Sequence, residues 1–276
     1  MSSEFTVGML TAAYGAAINV SSLKLFSRRK LIDRAGFGLL AIAFLLNTWV
    51  IASRWVEGGQ PPLRTLFETM IFYPWCVALL TFFLIGLYRL FFLVPFASGI
   101  ALPGLIYILL VRPDMGIANL PPALQSIWFI PHVTTYFVAY AALFVSFVLA
   151  ALSLIQPWWV GRRKQPETES GFGSIMFEQY AHQAVVFGIC AMTFGLTMGA
   201  IWGKVAWGDY WSWDPKENWA LVTWLAYMIY LHLRLIAGWR EKRAMWILVF
   251  AFAAVLFTYL GMKILPTAIG SLHAYQ

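Results

Sequence analysis

Long apolar runs separated by short polar breaks dominate this chain. A helix needs roughly 20 mostly apolar residues to cross the hydrocarbon of a bilayer, since each residue advances the axis by about 1.5 Å. Eight runs reach about that length: 5–23, 36–54, 67–88, 90–111, 130–155, 182–202, 219–238 and 244–265. The first is rich in Ala, Gly, Ser and Thr, which suit close helix–helix contact in lipid. The third and fourth nearly merge, with Arg89 marking the turn. No internal repeat and no independent soluble stretch is evident. The expectation is one all-α integral membrane domain over 1–276, a polytopic helical bundle of about eight transmembrane helices.

Composition strengthens that reading. The chain is 61% hydrophobic and only 11% charged, whereas a soluble domain carries roughly 25% charged residues. So few charges cannot clothe a water-exposed surface, and lipid must cover much of the molecule. The net charge of +7 then orients the protein rather than marking a nucleic-acid binder, because basic residues collect on the inner face of a membrane. Thirteen basic residues fall in one set of loops, from Lys24 through Arg34, Arg89 and Arg162 to Arg243, and six in the other: Arg54, Arg64, Arg112, Lys204, Lys216 and Lys263. The thirteen define the inner side. Both termini and the connections 55–66, 112–129 and 203–218 face outward, as does the tail 266–276.

The N-terminal "MSSEFTVGML" has no basic leader, so a cleavable signal peptide is not expected. The cysteines, Cys76 and Cys190, lie in apolar runs and form no CxxC. They read as small buried thiols rather than a redox pair.

One outer connection concentrates the chemistry. "WGDYWSWDPKE", Trp207 to Glu217, mixes rings and charges, and six of the fourteen tryptophans lie between Trp202 and Trp224. Trp207 and Trp211 are four apart, and Trp211 and Asp214 three apart, which predicts a short Trp-rich helix in the outer interface with all three on one face. Gly203 and Gly208 permit close approach to a flat ligand, or are loop glycines. Asp214 before Pro215, with Glu217 three positions on, reads as a helix N-cap and capping box in preference to an acid/base pair.

Histidine is scarce, with four in all. His132 opens the fifth run at the outer mouth, and His273 lies in the outer tail "SLHAYQ". His232 lies inside the seventh run, roughly 20 Å from the outer face at 1.5 Å per residue. His182 begins the sixth run on the inner side. Imidazole is a favoured metal ligand, and a haem iron takes one or two such axial ligands. Trp207, Trp211 and Trp213 would then be the apolar cradle. Lys204, Lys216, Arg54, Arg64 and Arg112 are all candidates for cations beside the propionates. The alternative at this point is an aromatic belt at headgroup level, with His132 a hydrogen-bonded interface residue.

The residues also carry a resemblance. "WGDYWSWDPKENWALVTWLAYMIYLHLR" resembles the tryptophan-rich WWD signature of haem-handling proteins in cytochrome c assembly. "WSWDPKE" followed by a span ending "YLHLR" is similar to the CcsA (ResC) branch. "GGQPPLRTLFETMIFYPWC", "PHVTTYFVAYAALF" and "GSLHAYQ" extend the likeness over most of the chain. "LPTAIGS" and His182 depart from it.

That resemblance implies haem b, bound as substrate in transit, with His132 and His273 as the outer axial pair and His232 as the in-membrane ligand. It implies a cofactor-binding segment within 203–218 that includes Trp207, Gly208, Trp211, Trp213 and Asp214. A CcsB (ResB) partner is expected to supply the second in-membrane ligand. The acceptor is an apocytochrome c carrying CxxCH, and the pair of membrane proteins acts as a holocytochrome c synthase in a bacterial inner or thylakoid membrane. A haem-anchored quinone-reactive subunit of a respiratory complex would instead pair histidines across neighbouring spans at similar depth. A haem-free transporter would break its helices near the midplane, where Pro95 and Pro103 are the only hints. A purely structural membrane partner would need none of the outer histidines.

Overall fold

The computed structural model describes residues 3–27, 29–117, 120–160 and 167–261, with side chains except at 25, 157–160 and 167–174. Nine helices and no strand occur among them. They are α1 (Ser3–Ser22), α2 (Lys30–Gly58), α3 (Leu66–Tyr88), α4 (Val94–Gly99), α5 (Ala101–Val111), α6 (Phe129–Val160), α7 (Glu167–Trp207), α8 (Pro215–Leu235) and α9 (Glu241–Leu260). The backbone forms two compact units, Met1–Pro122 and Ala123–Gln276.

Among the described residues each of the eight apolar runs falls mainly on helix. Six described stretches are long and apolar enough to cross a membrane: α2, α3, Phe91–Val111, Phe129–Gln156, Ile175–Trp207 and α9. The runs 5–23 and 219–238 form α1 and α8, of 20 and 21 residues, but polar residues dilute their hydropathy. In α8 these are Lys216, Glu217, His232 and Arg234.

In the first unit α1 lies along α2, α4 and α5. Asn47 of α2 binds three helices together, its amide donating to Tyr14 Oη of α1 at 3.0 Å and to the Ile71 carbonyl of α3 at 3.1 Å. Burial makes such polar links costly to leave unmade. Gly59, in the left-handed region at φ 65°, ends α2. Thr65 then caps α3 with Glu68 in a reciprocal capping box. Arg89, also left-handed, closes α3 at the predicted turn. The fourth run is broken at Ile100 into α4 and α5. Pro95 sits in the first turn of α4, where its missing N–H costs no helical bond.

In the second unit α6 packs along α7 and α9, and α8 packs on α9 and α7. Three glycines of α7 make room for α6. A Cβ built on Gly188 would stand 2.8 Å from Leu143, on Gly195 2.7 Å from the Tyr136 ring, and on Gly199 2.6 Å from the His132 ring. Small residues at this spacing bring helix backbones close where lipid offers no hydrophobic drive. Threonines link α8 and α9: Thr223 and Thr258 hydroxyls lie 2.8 Å apart, and Thr258 Oγ1 donates to the Trp219 carbonyl at 3.0 Å.

Cys76 is buried as expected, but Cys190 is exposed. It lies on the outward face of α7 with Val186, Phe187 and Phe194, the face opposite the glycines. The expectation of a buried thiol therefore fails for Cys190. An apolar run in a membrane helix does not distinguish lipid-facing from packed positions.

Candidate functional site around the Trp-rich connection

The three described histidines, His132, His182 and His232, and the Trp-rich connection belong to the second unit. The connection itself is not the short interfacial helix expected over 203–218. Trp207 is the last residue of α7, residues 208–214 are non-helical, and α8 begins at Pro215. Gly208 adopts φ 94° and Trp213 φ 58°, conformations that a continuing helix cannot hold. Pro215 disfavours helical geometry in the residue before it, and Asp214 has ψ 143°. Trp207, Trp211 and Asp214 therefore do not share one helical face.

What replaces the helix is a tightly bonded loop. The Gly208 amide donates to the Lys204 carbonyl at 3.2 Å, and Lys204 Nζ returns a bond to the Gly208 carbonyl. The expected capping box is present. Asp214 Oδ1 accepts from the Lys216 amide at 2.9 Å, and Glu217 Oε2 accepts from the amides of Ser212 at 2.8 Å and Asp214 at 3.2 Å. Asn218 Nδ2 donates to the Trp213 carbonyl at 2.9 Å. Asp214 and Glu217 are thus engaged in holding backbone amides at the start of α8, where negative charge also meets the positive end of the helix dipole.

The three tryptophans part company. Trp207 packs inward on Trp202, with ring centroids 4.8 Å apart. Trp211 and Trp213 meet edge to face at 6.1 Å, and Trp213 is 70% exposed. The loop therefore exposes the Trp213 indole, with Trp211 half-buried at its edge, while Trp207 packs inward.

His132 belongs to the inward set. It is the fourth residue of α6, its amide bonding to the Trp128 carbonyl at 3.0 Å. Pro131 precedes it in the first turn, where proline is tolerated. The imidazole lies 5.5 Å from Trp202 and 5.0 Å from Tyr136, centroid to centroid. Its Nδ1 stands 2.8 Å from the Gly195 carbonyl oxygen. A carbonyl oxygen only accepts, so Nδ1 carries the proton and the ring lone pair lies on Nε2. This tautomer is the one in which Nε2 can ligate a metal.

Sequence reasoning missed Trp202, which is 1% exposed and donates its Nε1–H to the Ala123 carbonyl at 2.8 Å. It also missed Gly195 and Gly199, and with them the four-residue spacing that leads to Gly203. The run Gly195, Gly199, Gly203 repeats every fourth residue, a readable signal for close helix packing. A Cβ on Gly203 would lie 3.1 Å from the Asp209 carbonyl oxygen, so Gly203 serves the close approach of the loop to α7.

The other histidines stand apart from this cluster. His232 is exposed on α8 along one stripe with Leu225 and Ile229, while Arg234 turns inward. His182 lies where α7 meets α8, its Nδ1 3.5 Å from the Tyr230 hydroxyl, in keeping with an interface role. Beside it Arg234 forms a buried ion pair with Glu178, whose second oxygen accepts the Glu241 amide at 3.0 Å. His273 lies outside the described residues.

The candidate cations also sort by partner. In the first unit Arg54 pairs with Glu68 at 3.3 Å and donates to the Met115 carbonyl at 3.0 Å, and Arg112 approaches Glu4 at 3.7 Å. In the second, Lys204 caps α7. Lys216 stands beside Asp214; burial lowers its pKa, and the carboxylate partly restores it. Among the described residues no three His, Cys, Asp or Glu side chains converge on a metal-ion site. The one described imidazole at this cluster, that of His132, has the chemistry of a single axial ligand to an iron held by a macrocycle.

Residues 63–269 match the family described as Cytochrome C assembly protein. Among curated relatives, the cytochrome c biogenesis protein CcsA of Guillardia theta is 30% identical over 270 residues, covering 91% of this chain and 88% of the relative. That of Chlamydomonas reinhardtii is 32% identical, covering 94% of this chain and 72% of the relative. Among solved structures, the Cytochrome c Heme Lyase CcmF shares the fold, with a TM-score of 0.69 at 17% identity. The match takes in 98% of this chain and 49% of that one, so this chain spans about half of the larger protein.

Proposed function

Because the chain belongs to the cytochrome c assembly protein family, in its CcsA branch, and so acts in cytochrome c maturation, we propose that it moves haem b across the membrane and presents it to apocytochrome c. It works as the CcsA half of a holocytochrome c synthase, with a CcsB partner. The observation that carries this reading is the His132 Nδ1 to Gly195 carbonyl bond of 2.8 Å. It prepares Nε2 as a ligand at the edge of an aromatic cluster.

In this reading both units function as one assembly domain. The thirteen-to-six division of basic residues supports a topology with the Trp-rich connection and both termini outside. His232, exposed on α8, reaches haem during its passage, and the partner chain supplies the opposite ligand. At the outer site His132 and His273 hold the iron from its two faces. Trp207 and Gly208 line the inward side of the site, and Trp211 and Trp213 the outer side. Asp214 fixes the loop through its capping bonds.

The chain's part in the reaction is placement. Holding two reactants in register lowers a barrier by several kcal/mol without a catalytic acid or base. Each thiol of the acceptor CxxCH adds across one vinyl group: sulfur bonds to one vinyl carbon and the hydrogen goes to the other, with no net oxidant. The acceptor histidine then displaces one axial imidazole as the product leaves.

The test is the yield of covalently haem-loaded cytochrome when this chain is produced with its partner and a CxxCH acceptor in a host lacking its own maturation system. His132→Ala and His232→Ala are expected to lower the yield at unchanged protein level. Full yield from both variants would refute the ligand assignments.

A further inference from the structure

The first unit holds a cavity that the proposed haem path does not use. About 430 Å³ in volume, it lies between the ends of α2 and α3 and is lined by Arg34, Phe37, Phe82, Ile85, Arg89 and Phe91, among others. Phe37 meets Phe82 edge to face at 5.3 Å and Phe91 at 5.9 Å, giving the cavity an aromatic floor. Arg34 stands in the first turns of α2, and Arg89 is the C-cap of α3. Both belong to the thirteen-residue basic set, so the cavity opens at the headgroup level of the inner leaflet.

The charge of this cavity is unanswered. No carboxylate lines it. The nearest acid in sequence, Asp33, is paired with Lys24. Among the described residues neither the Arg34 nor the Arg89 side chain has a hydrogen bond or ion pair. Basic side chains at helix ends commonly extend to the interface and need no ligand. Here, however, two guanidinium groups rim a single cavity whose floor is apolar rings, which is a site with two chemically distinct ends.

We propose that this cavity binds one acidic phospholipid, its phosphate between Arg34 and Arg89 and the start of its acyl chains on Phe37, Phe82 and Phe91. Guanidinium is matched to phosphate geometry, donating paired N–H groups to two oxygens. Basic pockets between helices on the inner side of a membrane recognise acidic headgroups in this way. A zwitterionic headgroup would bring its ammonium against the same two cations. Haem is a poorer occupant, because no His, Cys, Met or Tyr lines the cavity to hold its iron.

The experiment is native mass spectrometry of the full chain released from nanodiscs containing equal phosphatidylglycerol and phosphatidylcholine. Wild type is expected to retain one phosphatidylglycerol in preference to phosphatidylcholine. Arg34→Gln/Arg89→Gln should reduce that retention by roughly tenfold or more, as expected from two interfacial cations. Arg240→Gln/Lys242→Gln, which removes the same charge elsewhere on the inner set, should retain it. Equal retention of the two lipids by wild type overturns the proposal, as does equal loss in both double variants. Loss of bound haem in Arg34→Gln/Arg89→Gln with phosphatidylglycerol retained would assign the cavity to haem instead.

Discussion

His132 Nδ1 and the Gly195 carbonyl oxygen lie 2.8 Å apart across the α6–α7 contact. The bond is possible because Gly195 and Gly199 have no side chains. A Cβ on Gly199 would stand 2.7 Å from the same Nδ1. One helix face thus sets both the position and the tautomer of the imidazole on the other.

Gly199→Ala should therefore act through His132. Overpacking of this kind costs about 1–3 kcal/mol of stability. The sharper effect is on haem, since losing the hydrogen-bond partner of a ligating imidazole weakens binding by roughly tenfold to a hundredfold. Haem titration of the purified variant, with and without added free imidazole, checks this. Recovery of the spectrum by free imidazole is expected, and a merely unfolded variant would not recover.

Asp214 separates capping from chemistry. Asn preserves the cap and removes the charge, whereas Ala removes both and costs about 1 kcal/mol. Asp214→Asn should keep most of the cytochrome yield, with Asp214→Ala lowering the thermal midpoint. A complete loss of yield in Asp214→Asn at normal stability would restore an acid/base role.

The Glu178–Arg234 pair predicts strong coupling where the C-terminal end of α8 meets α7. Removing one partner leaves a buried charge and costs about 3–5 kcal/mol, while replacing both with apolar groups is often neutral. Glu178→Met alone should therefore unfold at markedly lower temperature than Glu178→Met/Arg234→Met. A double-mutant cycle on thermal stability in detergent measures the difference.

Lys216 gives a pH signature. Burial lowers its pKa in the folded chain, so the unfolded chain binds the proton more readily. Between the lowered and ordinary lysine pKa values the unfolded state holds more protons, and stability rises with pH. Lys216→Met removes that contribution. Its stability profile on the acid side of the ordinary lysine pKa of about 10.5 should be flatter than that of wild type, and parallel profiles would contradict the assignment.

Much of the fold was legible because lipid imposes a simple demand: among the described residues the long apolar runs became helix, and Arg89 became the turn it marked. The Asp214–Glu217 capping box was legible for the same local reason. Thr65 and Glu68 spell the same signal, T-x-x-E before an apolar run, and form the same reciprocal box at the start of α3. The irregular loop was obscured because i, i+4 spacing of tryptophans looks helical, while Gly208 and Pro215 prevent a helix there. Which face of α8 carries His232 outward and Arg234 inward depends on Glu178, 56 residues away. The His132–Gly195 bond spans 63 residues. Such pairings exist only once the helices are packed, although the four-residue glycine spacing announced a close approach.

The most direct measurement is the reduced absorption spectrum of the protein purified with its partner, for wild type, His132→Ala and His273→Ala. The account predicts sharp bis-imidazole haem bands in wild type, weakened in either variant and restored by free imidazole. Featureless spectra, or three identical ones, would contradict an outer haem site held by these two histidines.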